Sequence, residues 1–159
     1  MQTITTLCVA AALAVSSAGR AGQAPGRVCP DPARPCPGFR AHDLSFALPA
    51  DGAARAEDRS APFYALILRT AGRCAVSERE RLAAQALFPG RKVFATRWEC
   101  DGDAESNVTY TGVDARYGFL AVYAGASRAQ ADSALAGVRA TGRFPGANLR
   151  RMRVVRVHP

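Results

Sequence analysis

The chain has 159 residues, 48% of them hydrophobic, and a formal net charge of +8 at pH 7. This length suits a single domain with extensions and argues against two domains, and the apolar fraction is sufficient for a hydrophobic core. The basic side chains are almost all arginine, with Lys92 as the single lysine, in an Ala-rich background that we attribute first to genomic composition.

The N-terminus has the pattern of a signal peptide, which predicts export from a bacterial cell. An apolar run at 7–15 is followed by the small residues Ser16, Ser17 and Ala18, and we expect a signal peptide at 1–18 that is cleaved after Ala18. The run is too short to span a bilayer. The prediction is therefore a periplasmic or secreted protein with no stable membrane insertion after the leader is removed. An uncleaved membrane anchor is the alternative.

The next segment, 19–62, is rich in Pro, Ala and Arg and is interpreted as an irregular arm. Within it, 43–48 alternates apolar and polar residues, which predicts a short edge strand. The polar stretch 50–61 is predicted to be a linker.

Four cysteines remain after the leader is removed: Cys29, Cys36, Cys74 and Cys100. In an exported protein they are expected to form disulfides. The topology predicted below brings Cys74 and Cys100 to the same end of the sheet, which leaves Cys29 to pair with Cys36 in a proline-rich loop. A zinc site is the alternative, although neither pair has CxxC spacing and no histidine lies nearby.

An internal repeat is the most informative feature of the chain. The stretch 63–98 recurs at 119–154, a shift of 56 residues, and both copies contain Phe-Pro-Gly, at 88–90 and at 144–146. Each copy predicts a strand, a helix and a strand. The segment 63–157 is therefore expected to form an α+β domain, a ferredoxin-like βαββαβ duplication with two helices on one face of an antiparallel sheet.

Both helices begin with a predicted capping box, in which a serine and a Glu or Gln three residues later satisfy backbone N–H groups. The pairs are Ser77 with Glu80 and Ser127 with Gln130. The predicted apolar stripes are Leu82, Ala86 and Leu87 in the first helix, and Ala131, Leu135 and Val138 in the second. Gly142 is predicted to end the second helix.

The four predicted strands of the repeat are 63–68, 91–98, 119–124 and 149–157. The first and third are apolar on both faces, whereas charged residues interrupt the second and fourth. Charged strands are typical of sheet edges and apolar strands of sheet interiors. The predicted strand order is therefore 4-1-3-2.

Alternation along these strands divides their side chains between two faces. The more apolar set should lie under the helices: Tyr64, Leu66, Leu68, Phe94, Thr96, Trp98, Leu120, Val122, Met152 and Val154. The other face should be open, with aromatic rings beside arginines that suit planar or sugar-like ligands. The candidate ligand-binding residues there are Phe63, Phe119, Tyr123, Arg97, Arg151 and Arg153. The alternatives are that the arm covers this face or that a β-bulge exchanges the two sets.

Positive charge is concentrated toward the C-terminus. From Ser106 onward there are eight arginines against Asp114 and Asp132. Such a basic edge would attract an acidic polymer or an anionic surface. A solvated edge strand, protected from aggregation by its charge, is the alternative interpretation.

No residue pattern indicates catalysis, and the prediction is a protein that is not an enzyme and holds no cofactor or metal. His42 and His158 lie in no catalytic or metal-binding motif, and G-x-S-x-G, H-E-x-x-H and a phosphate loop are absent from the sequence. Four acidic residues alternate at 99–105. Their spacing is not that of an EF-hand, so a solvated loop is expected there rather than a calcium site.

The segment 119–142, FLAVYAGASRAQADSALAGVRATG, resembles the core of a SPOR (sporulation-related) domain. It has that family's apolar strand, a glycine followed by a small residue, a helix with Ala and Leu at turn spacing, and a closing glycine. The resemblance implies a βαββαβ domain of an exported bacterial protein that binds peptidoglycan glycan strands, commonly those stripped of stem peptides, and that is not an enzyme. The expected partners are therefore peptidoglycan glycan strands or an envelope protein.

Two other functions remain as alternatives. A small secreted interaction or inhibitor protein would bind an acidic protein partner through the basic C-terminal edge. RNA binding is the other, because RRM domains share the βαββαβ order and use sheet aromatics beside basic residues. No ribonucleoprotein motif is recognisable, and predicted export argues against a nucleic-acid partner.

Overall fold

The structure is a computed structural model, and it describes residues 25–34, 36, 38–50, 55–97, 100 and 107–158. These described residues form two helices and two antiparallel sheets, which confirms the mixed α+β class. The elements in chain order are β1 (Glu57–Arg59), β2 (Phe63–Gly72), α1 (Glu78–Leu87), β3 (Val93–Ala95), β4 (Val108–Tyr110), β5 (Tyr117–Gly125), α2 (Arg128–Ala140), β6 (Asn148–Met152) and β7 (Val154–Val157).

The larger sheet has four strands in the order β3-β5-β2-β6, and each neighbouring pair is antiparallel. Both helices pack on one face of this sheet and form a first hydrophobic core with it. The buried members of this core are Leu66, Leu68, Val76, Ala84, Val93, Ala95, Leu120, Val122, Ala124, Ala131, Val138 and Ala147. Phe88 and Phe144, from the two Phe-Pro-Gly turns, contact each other with ring centroids 6.2 Å apart.

The smaller sheet has three strands in the order β1-β7-β4, and the sequence analysis did not predict it. β1 lies in the segment that was predicted to be a linker, and β4 lies between the two copies of the repeat. The predicted fourth strand, 149–157, is divided into β6 and β7, which belong to different sheets. That part of the prediction was wrong, because an uninterrupted β-pattern does not show where a strand bends.

The bend between the sheets occurs at Ser60, where β1 leads into β2 beside the junction of β7 and β6. The Ser60 N–H donates to the Val154 carbonyl at 2.9 Å, and the Ser60 hydroxyl accepts from the Val154 N–H at 2.9 Å. The Ser60 carbonyl accepts from Nη1 of Arg153 at 2.8 Å. Ser60 is fully buried, so each of these polar groups depends on its protein partner.

Replacing the corner serine tests this arrangement. Ser60→Ala removes the acceptor for the buried Val154 N–H, and we expect the free energy of unfolding to fall by about 1–3 kcal/mol. Urea unfolding of the oxidised protein measures the change. Ser133→Ala, at an exposed position of α2, is the control and should change stability by less than about 0.5 kcal/mol. Equal urea midpoints for the two variants would contradict the stabilising role of Ser60 at the bend.

A second core fills the space between the two sheets, and the arm closes it. Its buried members are Val28, Leu44, Phe46, Phe63, Ala65, Ile67, Phe94, Val108, Tyr110, Phe119, Ala121, Met152 and Val154. The predicted edge strand at 43–48 forms a single bridge, between Phe46 and Val28, instead of joining a sheet. The arm is nevertheless part of the folded unit, since Leu44 and Phe46 are almost completely buried.

Tyr110 of β4 ties the arm to the second core. Its ring lies 5.2 Å from that of Phe94 and 5.4 Å from that of Phe119, measured between centroids. Its hydroxyl accepts a hydrogen bond from the Leu44 N–H at 3.0 Å. Burial, with a smaller contribution from the charge of Asp43, raises the pKa of Tyr110 well above 10.0.

The raised pKa predicts how Tyr110→Phe changes stability with pH. Near pH 8 the variant should be less stable by about 1 kcal/mol, because the Leu44 N–H loses its partner. Above pH 10 the phenol ionises in unfolded chains and stays protonated in folded ones, so the wild type loses stability as pH rises. The difference between the two proteins should therefore shrink by pH 11. Urea unfolding at both pH values measures it, and a constant difference would show that the phenol is not buried.

The two helices differ in how they begin. Ser127 and Gln130 form the complete predicted capping box at α2. At α1, Ser77 accepts from the Glu80 N–H, but the Glu80 carboxylate forms an ion pair with Arg69. Gly142, with φ +66°, follows the end of α2, as predicted.

The predicted apolar stripe of α1 was wrong: Leu82 and Leu87 are exposed by 54% and 41%. The buried residues of α1 are instead Ala84 and Arg81, whose Nη1 donates to the Val93 carbonyl. Half-buried Gln85 lies beside them, and its Oε1 accepts from the Val93 N–H. Because β3 is a sheet edge, its backbone needs partners from outside the sheet. The polar residues of α1 meet that need and set the rotation of the helix. In α2 the predicted stripe is correct, with Ala131 and Val138 buried and Leu135 partly buried.

Two disulfides connect the cysteines in the predicted pairing. Cys74 and Cys100 have Cα atoms 5.4 Å apart, and Cys29 and Cys36 have Cα atoms 6.6 Å apart. All four thiols considered for a zinc site are therefore used in disulfides. Among the residues that the structure describes, no helix combines the length and the apolar character needed to cross a membrane.

Candidate binding site

The sheet face that was predicted to be open is covered. Phe63 is 1% exposed and Phe119 is 3% exposed, because the smaller sheet and the arm pack over them. The assignment of faces was correct for β2 and β5, but it was reversed for Phe94, Met152 and Val154, which lie in the second core. Cross-strand partners share a face, and the observed pairs are Phe94 with Ala121 and Met152 with Phe63.

The six predicted ligand-binding residues do not form one site. Nη1 of Arg97 donates to the Val76 carbonyl at 3.2 Å, and Arg153 is held at the Ser60 corner. Arg151 is exposed on β6, opposite Tyr64. Of the three aromatic residues, Phe119 is buried in the second core, whereas Phe63 and Tyr123 line a common pocket. The prediction of a single ligand face was therefore wrong, but two of its aromatic residues identify a pocket at one end of that face.

We call this the arginine–tyrosine pocket. It has a volume of about 360 Å³, within the range of small-ligand sites. It lies where the arm meets the ends of β2 and β5 and the start of α2. Its lining residues are Arg27, Val28, Pro30, Ala61, Pro62, Phe63, Arg91, Tyr123, Ala124, Gly125, Ala126 and Gln130.

The Tyr123 ring forms an aromatic wall of the pocket. It stacks on Phe63 with centroids 5.7 Å apart and an interplanar angle of 29°. Phe63 is buried and Tyr123 is half-buried, so the inner ring fixes the orientation of the outer one. A ring held in this way loses little entropy when a ligand packs against it.

Two guanidinium groups flank Tyr123. Nη1 of Arg91 donates to the carbonyls of Tyr123, at 3.4 Å, and of Ala124, at 3.2 Å, which holds Arg91 beside the ring. Burial raises the pKa of Tyr123 above 10.0, and the charges of Arg27 and Arg91 act in the opposite direction. No lining residue of the pocket is acidic, so the pocket favours electron-rich or anionic groups.

The far wall is fixed by the N-terminus of α2. Oε1 of Gln130 accepts from the N–H groups of Ala126 and Ser127, at 3.0 and 3.1 Å. Gly125 precedes this turn with φ +130°, and a Cβ at that position would lie 2.6 Å from Cβ of Gln130. The capping box and the glycine therefore shape this wall together.

Sequence reasoning identified Tyr123 and missed Arg27 and Arg91. Arg91 follows the first Phe-Pro-Gly turn, and its place after a turn and before a strand is a local signal that could have been used. Arg27 lies in the arm, and local sequence does not show where an irregular segment docks. The four acidic residues at 99–105 lie outside the described residues, so the solvated loop expected there stays a prediction.

The histidines lie apart from the pocket. Nε2 of His158 is 2.8 Å from Oδ2 of Asp58, and His42 is buried beside Asp43, with 3.6 Å between Nε2 and Oδ1. Within the described ranges, no group of three or more His, Cys, Asp or Glu residues could hold a metal ion.

The electrostatics of the pocket can be tested through Tyr123 itself. In Arg27→Gln the phenolate loses a stabilising positive charge, so the pKa of Tyr123 should rise relative to the wild type. An NMR titration of ¹³C-labelled tyrosine measures it. Arg79→Gln, at an exposed position of α1, is the control and should leave the Tyr123 titration unchanged. Superimposable curves for wild type and Arg27→Gln would show that Arg27 does not lie at the pocket.

Comparisons with known proteins give no match, whether the chain is compared with protein-family models, with curated proteins or with solved structures.

Proposed function

We propose that this protein is a non-catalytic, exported cell-envelope binding protein that binds peptidoglycan glycan through the arginine–tyrosine pocket. The observation that carries the proposal is the Tyr123 ring, stacked on Phe63 and flanked by Arg27 and Arg91. Aromatic rings pack against sugar rings, and guanidinium groups donate several hydrogen bonds in a fixed geometry. Hydroxyl and acetamido oxygens of a glycan are suitable acceptors for them.

Export is supported by the two disulfides, since such bonds form and persist in oxidising compartments. A leader at 1–18 and a periplasmic or secreted location complete this part of the proposal. Both the glycan ligand and the envelope location follow from the resemblance of 119–142 to a SPOR domain.

We also propose that the larger sheet and its helices arose by duplication of a ferredoxin-like half. The strands that flank the helices are β2, β3, β5 and β6, and numbering them one to four gives 4-1-3-2 when the sheet is read from β6 to β3. The contact between Phe88 and Phe144 supports the same idea, because it places the two Phe-Pro-Gly turns side by side.

Binding to purified sacculi tests the function. The wild-type protein should sediment with sacculi, and Tyr123→Ala should reduce the bound fraction about tenfold, as loss of one aromatic contact of 1–2 kcal/mol implies. Tyr117→Ala is the matched control, because Tyr117 is 51% exposed and lies outside the pocket. Sacculi with and without amidase treatment show whether stem peptides matter. No retention of the wild type on either preparation would reject the proposal.

A second candidate function is binding of an acidic protein partner. β6 is the last strand of the larger sheet, and its exposed Arg150 and Arg151 have no carboxylate partner within the described part of the chain. Other exposed arginines do, as in the pair Arg128 with Asp132. Salt-sensitive co-purification of one defined protein, without binding to sacculi, would favour this function over the first.

A further inference from the structure

We propose that Arg27, Arg91 and Tyr123 together recognise a carboxylate carried by the bound sugar or its attached peptide, so the pocket selects acidic glycan over neutral glycan. This inference rests on the proposed function and adds the chemical group that the pocket reads. A neutral sugar would need the aromatic wall and ordinary polar donors. Binding a neutral sugar does not require two arginines without an opposing carboxylate, whereas binding an acidic sugar does make use of them.

The charge balance of the pocket is the first argument. Some arginines elsewhere on the surface face acids: Arg69 pairs with Glu80, and Arg116 with Asp114. Arg27 and Arg91 have no such partner among the described residues, and none of the other lining residues is charged. Arg27 is exposed and Arg91 is half-buried, and two like charges that line one pocket repel each other less when an anion lies between them. A ligand carboxylate supplies that anion.

The orientation of Arg91 is the second argument. Its Nη1 is occupied by the carbonyls of Tyr123 and Ala124, which fixes the plane of the guanidinium and leaves other N–H groups for a ligand. A guanidinium presents its donors as a fork that matches the two oxygens of a carboxylate. Holding the fork in place before binding lowers the entropic cost of forming this contact.

The hydroxyl of Tyr123 is the third element. A tyrosine phenol is protonated at neutral pH, and burial raises the pKa of Tyr123 further, so the hydroxyl can donate a hydrogen bond to an anion and does not repel it. The same residue thus offers a ring face to the sugar and a donor to the acid. This places the sugar ring and its carboxylate close together, as they are when the acid is carried on a short substituent of the ring.

In peptidoglycan this chemistry has two sources. The lactyl ether of N-acetylmuramic acid has a free carboxylate where the stem peptide has been removed, and the stem peptide has carboxylates of its own where it remains. The pocket volume of about 360 Å³ accommodates a sugar with a short acidic substituent. N-acetylglucosamine, the other sugar of the strand, has no carboxylate.

Binding of defined disaccharides to the full-length exported protein tests the inference. The probes are N-acetylglucosaminyl-N-acetylmuramic acid, the same disaccharide with its lactyl acid converted to the methylamide, the form bearing an L-Ala-D-isoglutamine peptide, and neutral chitobiose. Isothermal titration calorimetry at low and physiological salt gives the dissociation constants. The free acid should bind at least about tenfold more tightly than the methylamide or chitobiose, as loss of a charge-assisted hydrogen bond implies.

Variants connect the preference to the pocket. In Arg27→Gln the ratio between acid and methylamide should fall close to one, whereas Arg79→Gln should keep the wild-type ratio. Far-ultraviolet circular dichroism verifies that both variants fold. If the peptide-bearing form binds as tightly as the free lactyl acid, the carboxylate is still the recognised group and its source includes the stem peptide.

The outcomes separate the two proposals. Equal affinity for the acid, the methylamide and chitobiose would overturn carboxylate recognition and leave glycan binding intact. A preference for the acid that survives in Arg27→Gln would show that the carboxylate is read elsewhere, which also overturns this inference. No binding of any disaccharide, together with no retention on sacculi, would overturn both.

Discussion

The fold depends on the bend at Ser60, where two long antiparallel strands leave one sheet and enter the other. The Ser60 backbone and hydroxyl together bond both the N–H and the carbonyl of Val154, so the ladder continues through the corner without unpaired buried groups. Because of this bend, the smaller sheet packs over one face of the larger sheet. It thereby buries Phe63 and Phe119 and confines access to the ends of the covered face, where the arginine–tyrosine pocket lies.

The features that sequence predicted well are governed by local chemistry. Ser127 and Gln130 form a capping box because both partners lie within one helical turn. The disulfide between Cys74 and Cys100 follows from strand direction: each cysteine comes after a strand, and β2 and β3 both end at the same edge of the larger sheet. The features that were missed depend on distant partners. β1 and β4 are three residues each, too short for a periodic signal, and only their pairing with β7 makes them strands.

In the pocket, too, local sequence predicted one residue, and tertiary packing determined the others. Tyr123 was predicted from alternation along an apolar strand, and this residue does reach the pocket. The expected neighbours did not follow. Arg97 lies beyond the end of β3, Arg151 shares β6 with Met152, whose face was reversed, and Arg153 lies at the bend between β6 and β7. Arg27 comes from the arm, and its position is set by tertiary packing, including burial of Val28, Leu44 and Phe46 in the second core. A segment with no regular structure carries no pattern from which such docking can be read.

Solvent paramagnetic relaxation measures the covered face most directly. A soluble gadolinium chelate is added to the oxidised protein, and the relaxation of each aromatic ring proton is recorded by NMR. The account predicts that Phe63, Phe94 and Phe119 are protected, that Tyr123 is intermediate, and that Tyr117, which is 51% exposed, relaxes strongly. Relaxation of Phe63 and Phe119 at the level of Tyr117 would mean that the sheet face is open, and it would contradict both the fold and the pocket described for it.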